Sequence, residues 1–265
     1  MSRPALRQPP DEERVMPSGN NALQVGVTDV GEVRVLTLVG SLNASTYAPI
    51  RDAIVTAALD EPDSVVIDVT RLSVREDPAW AVFTSARWQI AEWPNVPLAM
   101  VCAHGQGRNG AQRNGITRYV PIYATLESAL AELSADGLQR YRRRSRASLP
   151  SQRSSIRKCR ELTTGWLTDW ARTDFIQVVS TVATELVEAA LADTDRNFAL
   201  RLETDGSTVS VAIQHVGIIN PVRRKSARDN VSCLDLVAGN SRAWGNYTTM
   251  AGNTIWAVVG PENRF

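Results

Sequence analysis

The chain has 265 residues, 43% hydrophobic and 22% charged, which provides for a packed core and excludes wholesale disorder. That length suits two domains better than one. The net charge of +1 is uneven, with −5 over residues 1–138, +9 over 139–160 and −3 over 161–265, so two acidic blocks joined by a basic strap are expected.

Residues 1–23 are polar and Pro-rich and read as a disordered tail with no secretory h-region. From Glu32, the alternation in VRVLTLVGSL predicts a strand running into a turn. STYAPIRDAIVTAAL predicts a helix from Ser45 to Leu59 with Ser45 as N-cap. SVVIDV (64–69) is a buried strand, and Asp77-Pro78 opens a helix through AWAVFTSARWQIAEW, with Asp77 at the cap and Pro78 in the first turn. PLAMVC (97–102) is another buried strand. GQGRNGAQRNG reads as a flexible connection, VPIY as a short strand, and a last helix begins near Thr125. This order predicts a small α/β layer with the sheet on one side and helices on the other.

Residues 136–147 read as an Arg-rich linker, with an extended edge strand around Ser148–Pro150. Beyond it, helices are expected at Ser155–Trp170 and Asp174–Ala192, the second capped by Asp174. A hairpin follows around Asp205-Gly206 (strands 198–204 and 208–214). A weaker helix covers Asn230–Ala243, and two strands, WGNYTTM and NTIWAVVG, close the chain. Helices first and an antiparallel sheet afterwards is the order of an α+β sandwich.

The first block resembles a STAS domain, the family of anti-sigma factor antagonists. VLTLVGSLN (35–43), SVVIDVTRLSV (64–74), the helix from Asp77, PLAMVC and YATLESAL (123–130) carry the likeness, which covers about residues 24–135. The second block, 148–262, resembles the anti-sigma factor serine kinase branch of the GHKL ATPases. ATELVEAALAD (183–193), VSVAIQHVG (209–217), LDLV (234–237) and NTIWAVV (253–259) carry that likeness. Together the resemblances imply partner switching around a bacterial sigma factor in a reducing cytoplasm. The partners implied are an anti-sigma factor, a sigma factor or other STAS and kinase proteins of that system, with a homodimer left open.

Both resemblances carry departures. The serine that active antagonists have phosphorylated falls on Asp77, which holds one fixed negative charge where a phosphoserine holds nearly two. Thr70 and Ser73 are the nearby hydroxyls. In the second block the family's magnesium-holding Asn falls on Ala189, whose methyl offers a hard cation no oxygen. The adenine-reading Asp falls on His215, with Gly217 retained two residues on. The lid glycines fall on Val231 and Cys233, which restrict φ. Glu185, the family's base carboxylate, is retained. The resemblance therefore implies a degenerate, kinase-like domain without ATP or magnesium and without catalysis. The alternative is an active ATP-dependent serine kinase.

Other signals point less far. Gly105-Gln-Gly107-Arg-Asn-Gly110 spells G-x-G-x-x-G, but no acidic residue ends a following strand as a dinucleotide site requires. The Arg run QRYRRRSR has no accompanying aromatic platform or recognition motif, so nucleic acid is not the expected partner, and no apolar run approaches the roughly 18 residues a membrane span needs, so neither is a membrane. Cys102, Cys159 and Cys233 are too scattered for a disulfide framework or a zinc ribbon, and His104 and His215 are too isolated for a metal site. Asn43, Asp77, Trp88 and Trp93 are the candidate partner surface.

Overall fold

The computed structural model describes residues 23–135, 142–215, 231–249 and 252–264. Strands β1 (Gln24–Val30) and β2 (Val33–Leu42) form a hairpin through Gly31, whose φ of +61° is the left-handed conformation that glycine supplies without strain. Strand β3 (Ser64–Val74), β4 (Leu98–Val101) and β5 (Ile122–Tyr123) add parallel to β2, giving the order β1-β2-β3-β4-β5. Strand β1 was not foreseen, because its seven residues are all exposed and lack a buried alternate face.

Helices α1 (Ala44–Leu59), α2 (Ala81–Gln89), α3 (Gly105–Arg113) and α4 (Leu126–Ala135) do not share one side of this sheet. Leu36, Ile67 and Met100 point into a cluster with Ile50, Ile54 and Phe83 of α1 and α2. Their neighbours Val35, Val66 and Val101 point the other way, onto Ala129 of α4. Alternation along β2, β3 and β4 requires both faces to be covered, so the expected two-layer arrangement becomes three layers.

The second sheet has the order β6-β7-β8-β10-β9, antiparallel at every step. Its strands are β6 (Arg143–Leu149), β7 (Phe198–Thr204), β8 (Val209–His215), β9 (Ala243–Thr249) and β10 (Gly252–Val259). Part of the expected linker is therefore strand: Arg143, Arg144 and Arg146 lie on an edge strand, where charge guards open hydrogen-bonding groups from further pairing. Helices α5 (Ser154–Asp169), α6 (Ile176–Asp193) and α7 (Val231–Gly239) complete this half. One helical segment, Thr173–Asp193, is long and apolar enough to cross a membrane. Here Val179, Ala183, Leu186 and Val187 of α6 pack instead against Leu200, Leu202, Val211 and Ile213 of the sheet. Asp174 does not cap α6; its carboxylate meets Arg264 at 2.5 Å and Arg172 at 3.4 Å.

The opposite face of the second sheet rests on the first block. Ala212, Tyr247, Trp256 and Val258 join the cluster built by α1, α2 and β2–β4. Two sheets are present, and their cores meet. The aromatic and aliphatic side chains of this contact lie far from the polar sequence between the blocks, but Arg142 and Arg144 of that stretch also reach the first block, at Pro94 O and Asp63.

Candidate functional site

At the carboxyl edge of the parallel strands, Leu42 pairs with Val74, so β2 and β3 deliver the starts of α1 and of the α2 segment to one side of the molecule. Asn43, not Ser45, caps α1. Its Oδ1 accepts from Ser45 N at 2.9 Å and Thr46 N at 3.2 Å, while Thr46 Oγ1 accepts from Asn43 N at 2.9 Å. This reciprocal box commits Asn43 to holding the helix.

Asp77 stands in the first turn of a short 3₁₀ segment, Asp77–Trp80, that leads into α2. The turn is closed by its backbone, Ala79 N donating to Glu76 O at 3.0 Å, and among the described residues no amide donates to the Asp77 carboxylate. The expected N-cap role is thus replaced. Pro78 follows immediately, and the tight turn puts the carboxylate outside the ring of amides. It is 62% exposed, and Arg113 Nη2 of α3 lies 4.0 Å away. Asp77 borders a cleft of about 700 Å³ whose other charged walls are Arg71, Arg75 and Arg113, all exposed. Among the residues that line the cleft, one carboxylate stands beside three arginines, so the lining is net positive.

The cleft is braced by His104 and Thr70. His104 Nδ1 accepts from Gly107 N at 3.1 Å, capping α3, and its Nε2 lies 3.2 Å from Thr70 O, which fits a neutral ring protonated on Nε2. Thr70 Oγ1 accepts from Ala103 N at 3.1 Å, so this hydroxyl joins β3 to the end of β4. Ser73 is exposed on the cleft wall. The stretch read as a flexible connection is α3, and its glycines serve packing. A Cβ on Gly107 would stand 2.5 Å from Cys102 Sγ, and one on Gly110 would stand 3.1 Å from Trp80 Nε1.

The two candidate tryptophans part company. Trp88 is 64% exposed near the end of α2, its ring edge-on to Tyr119 at 5.8 Å. Trp93 is 3% exposed, stacked on Trp256 at 5.6 Å and on Tyr247 at 6.3 Å. It is therefore not a free surface; the second sheet covers it. Tyr247 donates its hydroxyl to Gln89 O and lies 3.0 Å from Trp93 O. Burial pushes the Tyr247 hydroxyl up to about 12, keeping it a donor.

In the second half, Glu185, Ala189 and Asp193 recur every four residues along α6 and share one face. Glu185 and Ala189 are half-buried. The third member was missed in the sequence, although its spacing was visible. Asp193 Oδ2 lies 3.0 Å from His215 Nε2 and 3.4 Å from Asn253 Nδ2, and Asn253 sits directly across from His215 in the β8–β10 ladder. Burial pulls the His215 pKa down, with the Asp193 carboxylate pulling the other way. The ring is 2% exposed, so it is closed to a ligand as it stands. Val231 and Cys233, where the GHKL resemblance implies lid glycines, lie at the start of α7 on helical backbone, with their side chains outside the described residues. Gly217 also lies outside them. Among the described residues no group of three His, Cys, Asp or Glu side chains could hold a metal ion.

Residues 24–129 match the family model of the STAS domain, and this part of the chain is a STAS-like α/β fold. Solved structures similar to it include an anti-sigma factor antagonist from Mycobacterium paratuberculosis, 19% identical, covering 44% of this chain and 98% of that one with a TM-score of 0.39. Another is the anti-sigma factor antagonist SpoIIAA in its unphosphorylated form, 20% identical, covering 43% and 97% with a TM-score of 0.35. A third is RsbS from Moorella thermoacetica, 16% identical, covering 42% and 96% with a TM-score of 0.36. No curated protein matches the chain.

Proposed function

We propose that this chain, with its STAS domain at residues 24–129, is a non-catalytic regulator of bacterial sigma-factor partner switching. It binds an anti-sigma factor or sigma factor through the Asp77 face, in the cytoplasm, without ATP or magnesium. The observation that carries the reading is the exposed Asp77 carboxylate beside Arg71, Arg75 and Arg113. A carboxylate has no hydroxyl to receive a phosphate, so the charge at this position is set by the sequence and not by a kinase. The surrounding arginines let the same edge bind a partner by charge complementarity.

The second half is read as a degenerate, anti-sigma kinase-like GHKL domain. Support comes from Glu185 on α6, from helices layered on one face of an antiparallel sheet, and from the residues that have replaced the nucleotide-binding ones. Ala189 gives a cation no ligand. His215 is engaged by Asp193, where the resemblance implies a carboxylate reading adenine.

The test is affinity capture by the tagged full chain from the native cytoplasm, comparing wild type with Asp77→Lys. The reading expects an anti-sigma factor or sigma factor on the wild type and its loss with Asp77→Lys. Equal capture by both, or capture of neither class by the wild type, would overturn it.

A further inference from the structure

Where the second sheet meets the first domain, the contact has an aromatic half and a charged half. The aromatic half is the Trp93, Tyr247 and Trp256 stack. The charged half surrounds the turn between α1 and β3, where Glu61 takes a left-handed φ of +56° and is only 8% exposed. From the second sheet, Arg201 of β7, itself 4% exposed, donates to Leu59 O and Gln214 Oε1 and lies 3.7 Å from Asp60. Arg144 of β6 spans the boundary, 3.0 Å from Glu203 and 3.4 Å from Asp63. Arg142 holds Glu203 at 2.5 Å and reaches Pro94 O at 3.2 Å. Glu203 is 7% exposed.

We propose that this junction is a proton-operated latch, in which Glu61 binds a proton when the two domains are docked and releases it when they part. Two carboxyl groups, Glu61 and Glu203, are enclosed with Arg142, Arg144 and Arg201. Glu203 is bound by Arg142 and Arg144, and Arg201 by backbone, Gln214 and Asp60, while Arg201 Nε and Arg144 Nη2 are buried without a hydrogen-bond partner among the described residues. Asp29, Glu32 and Arg34 of the β1–β2 hairpin and Arg146 of β6 line the same crevice, of about 330 Å³. Arg34 is bound there to Asp29 and Asp60. Glu61 is thus the carboxyl left with no side-chain partner of its own among the described residues. Burial, with Glu203 adding to it, pushes the Glu61 carboxyl up to about 7, against the pull of Arg201, Arg144 and Arg142.

The direction follows from linkage. The docked state has the raised pKa and binds the proton more tightly than the parted state, where Glu61 returns toward 4.5. Docking is therefore strongest below pH 4.5, weakens as pH rises through that interval, and has lost the contribution once pH passes about 7. With one proton linked, the docking constant falls by up to about tenfold per pH unit between those values.

Amide hydrogen exchange on the full chain between pH 5 and 8, corrected for intrinsic rates, reads this constant. Peptides from Gln89–Asn95 and Ala243–Thr249 report the junction, and α5 on the far side of the second sheet is the internal control. The expected result is junction protection that falls by up to about tenfold per unit toward pH 7 and then levels. Protection in α5 should not follow it, and Glu61→Gln should flatten the junction profile. Glu203→Gln, which removes the like charge, should move the profile to lower pH. It serves as the second readout if Glu61→Gln does not fold. A flat wild-type profile, an unchanged profile in Glu61→Gln, an unmoved one in Glu203→Gln, or an equal response in α5 would each overturn the latch.

Discussion

Trp93, from the turn after α2, and Trp256, from β10, stack with ring centroids 5.6 Å apart and planes 20° from parallel. They are 3% and 6% exposed and belong to one buried cluster that draws on both sheets. The pair makes the two halves of the chain one packed body, with Tyr247 completing the stack.

Truncating either partner opens a large hole in a contact that involves both domains. Trp93→Ala should cost about 3–5 kcal/mol in denaturant unfolding, and Trp256→Ala a similar amount. Trp88→Ala, at a side chain 64% exposed, should stay within about 0.5 kcal/mol. Comparable losses for Trp88 and Trp93 would contradict this assignment of buried and free tryptophans.

The two helix starts at the cleft differ in the same way. Asn43→Ala removes a cap and its reciprocal bond, and should cost about 0.5–2 kcal/mol. Asp77→Ser should change stability by less than about 0.5 kcal/mol, since no turn amide depends on that carboxylate. The serine variant should also become a substrate for a cognate serine kinase, which mass spectrometry would detect as one added phosphate at position 77.

Gly107→Ala should destabilise by about 1–3 kcal/mol, because the new Cβ would lie 2.5 Å from Cys102 Sγ and must push α3 away from Cys102. A thermal melt unchanged by that substitution would show that the glycine is not there for close packing.

His215 predicts a pH dependence of its own. Burial lowers its pKa in the folded chain below the ordinary 6.5, so the unfolded chain binds the proton more readily. Its contribution is present above pH 6.5 and is lost as pH falls through the folded value. Melting temperatures from pH 7.5 down to 5 should therefore drop less in His215→Gln than in the wild type. Parallel slopes would show that the ring is not held neutral.

Much of the STAS half was legible because its strands are short apolar runs between turn residues: SVVIDV and PLAMVC became β3 and β4. β1 escaped because all its residues are exposed, and α3 because three glycines resemble a loop until Trp80 and Cys102 are packed against them. Asp77 could be located from the STAS resemblance, but its freedom from capping depended on a 3₁₀ turn that no periodicity marks. The Asp193–His215 contact needed the pairing of α6 with β8, and the burial of Trp93 needed the second sheet. Both are long-range facts that local pattern does not carry.

We propose that this chain works by binding and not by nucleotide chemistry, and titration calorimetry of the full chain with ATP and magnesium separates the two. With Ala189 where the GHKL resemblance implies the metal ligand, and His215 3.0 Å from Asp193, the proposal expects no magnesium-dependent ATP binding below about 1 mM. A micromolar dissociation constant that requires magnesium would contradict the account and make the chain a nucleotide-using kinase.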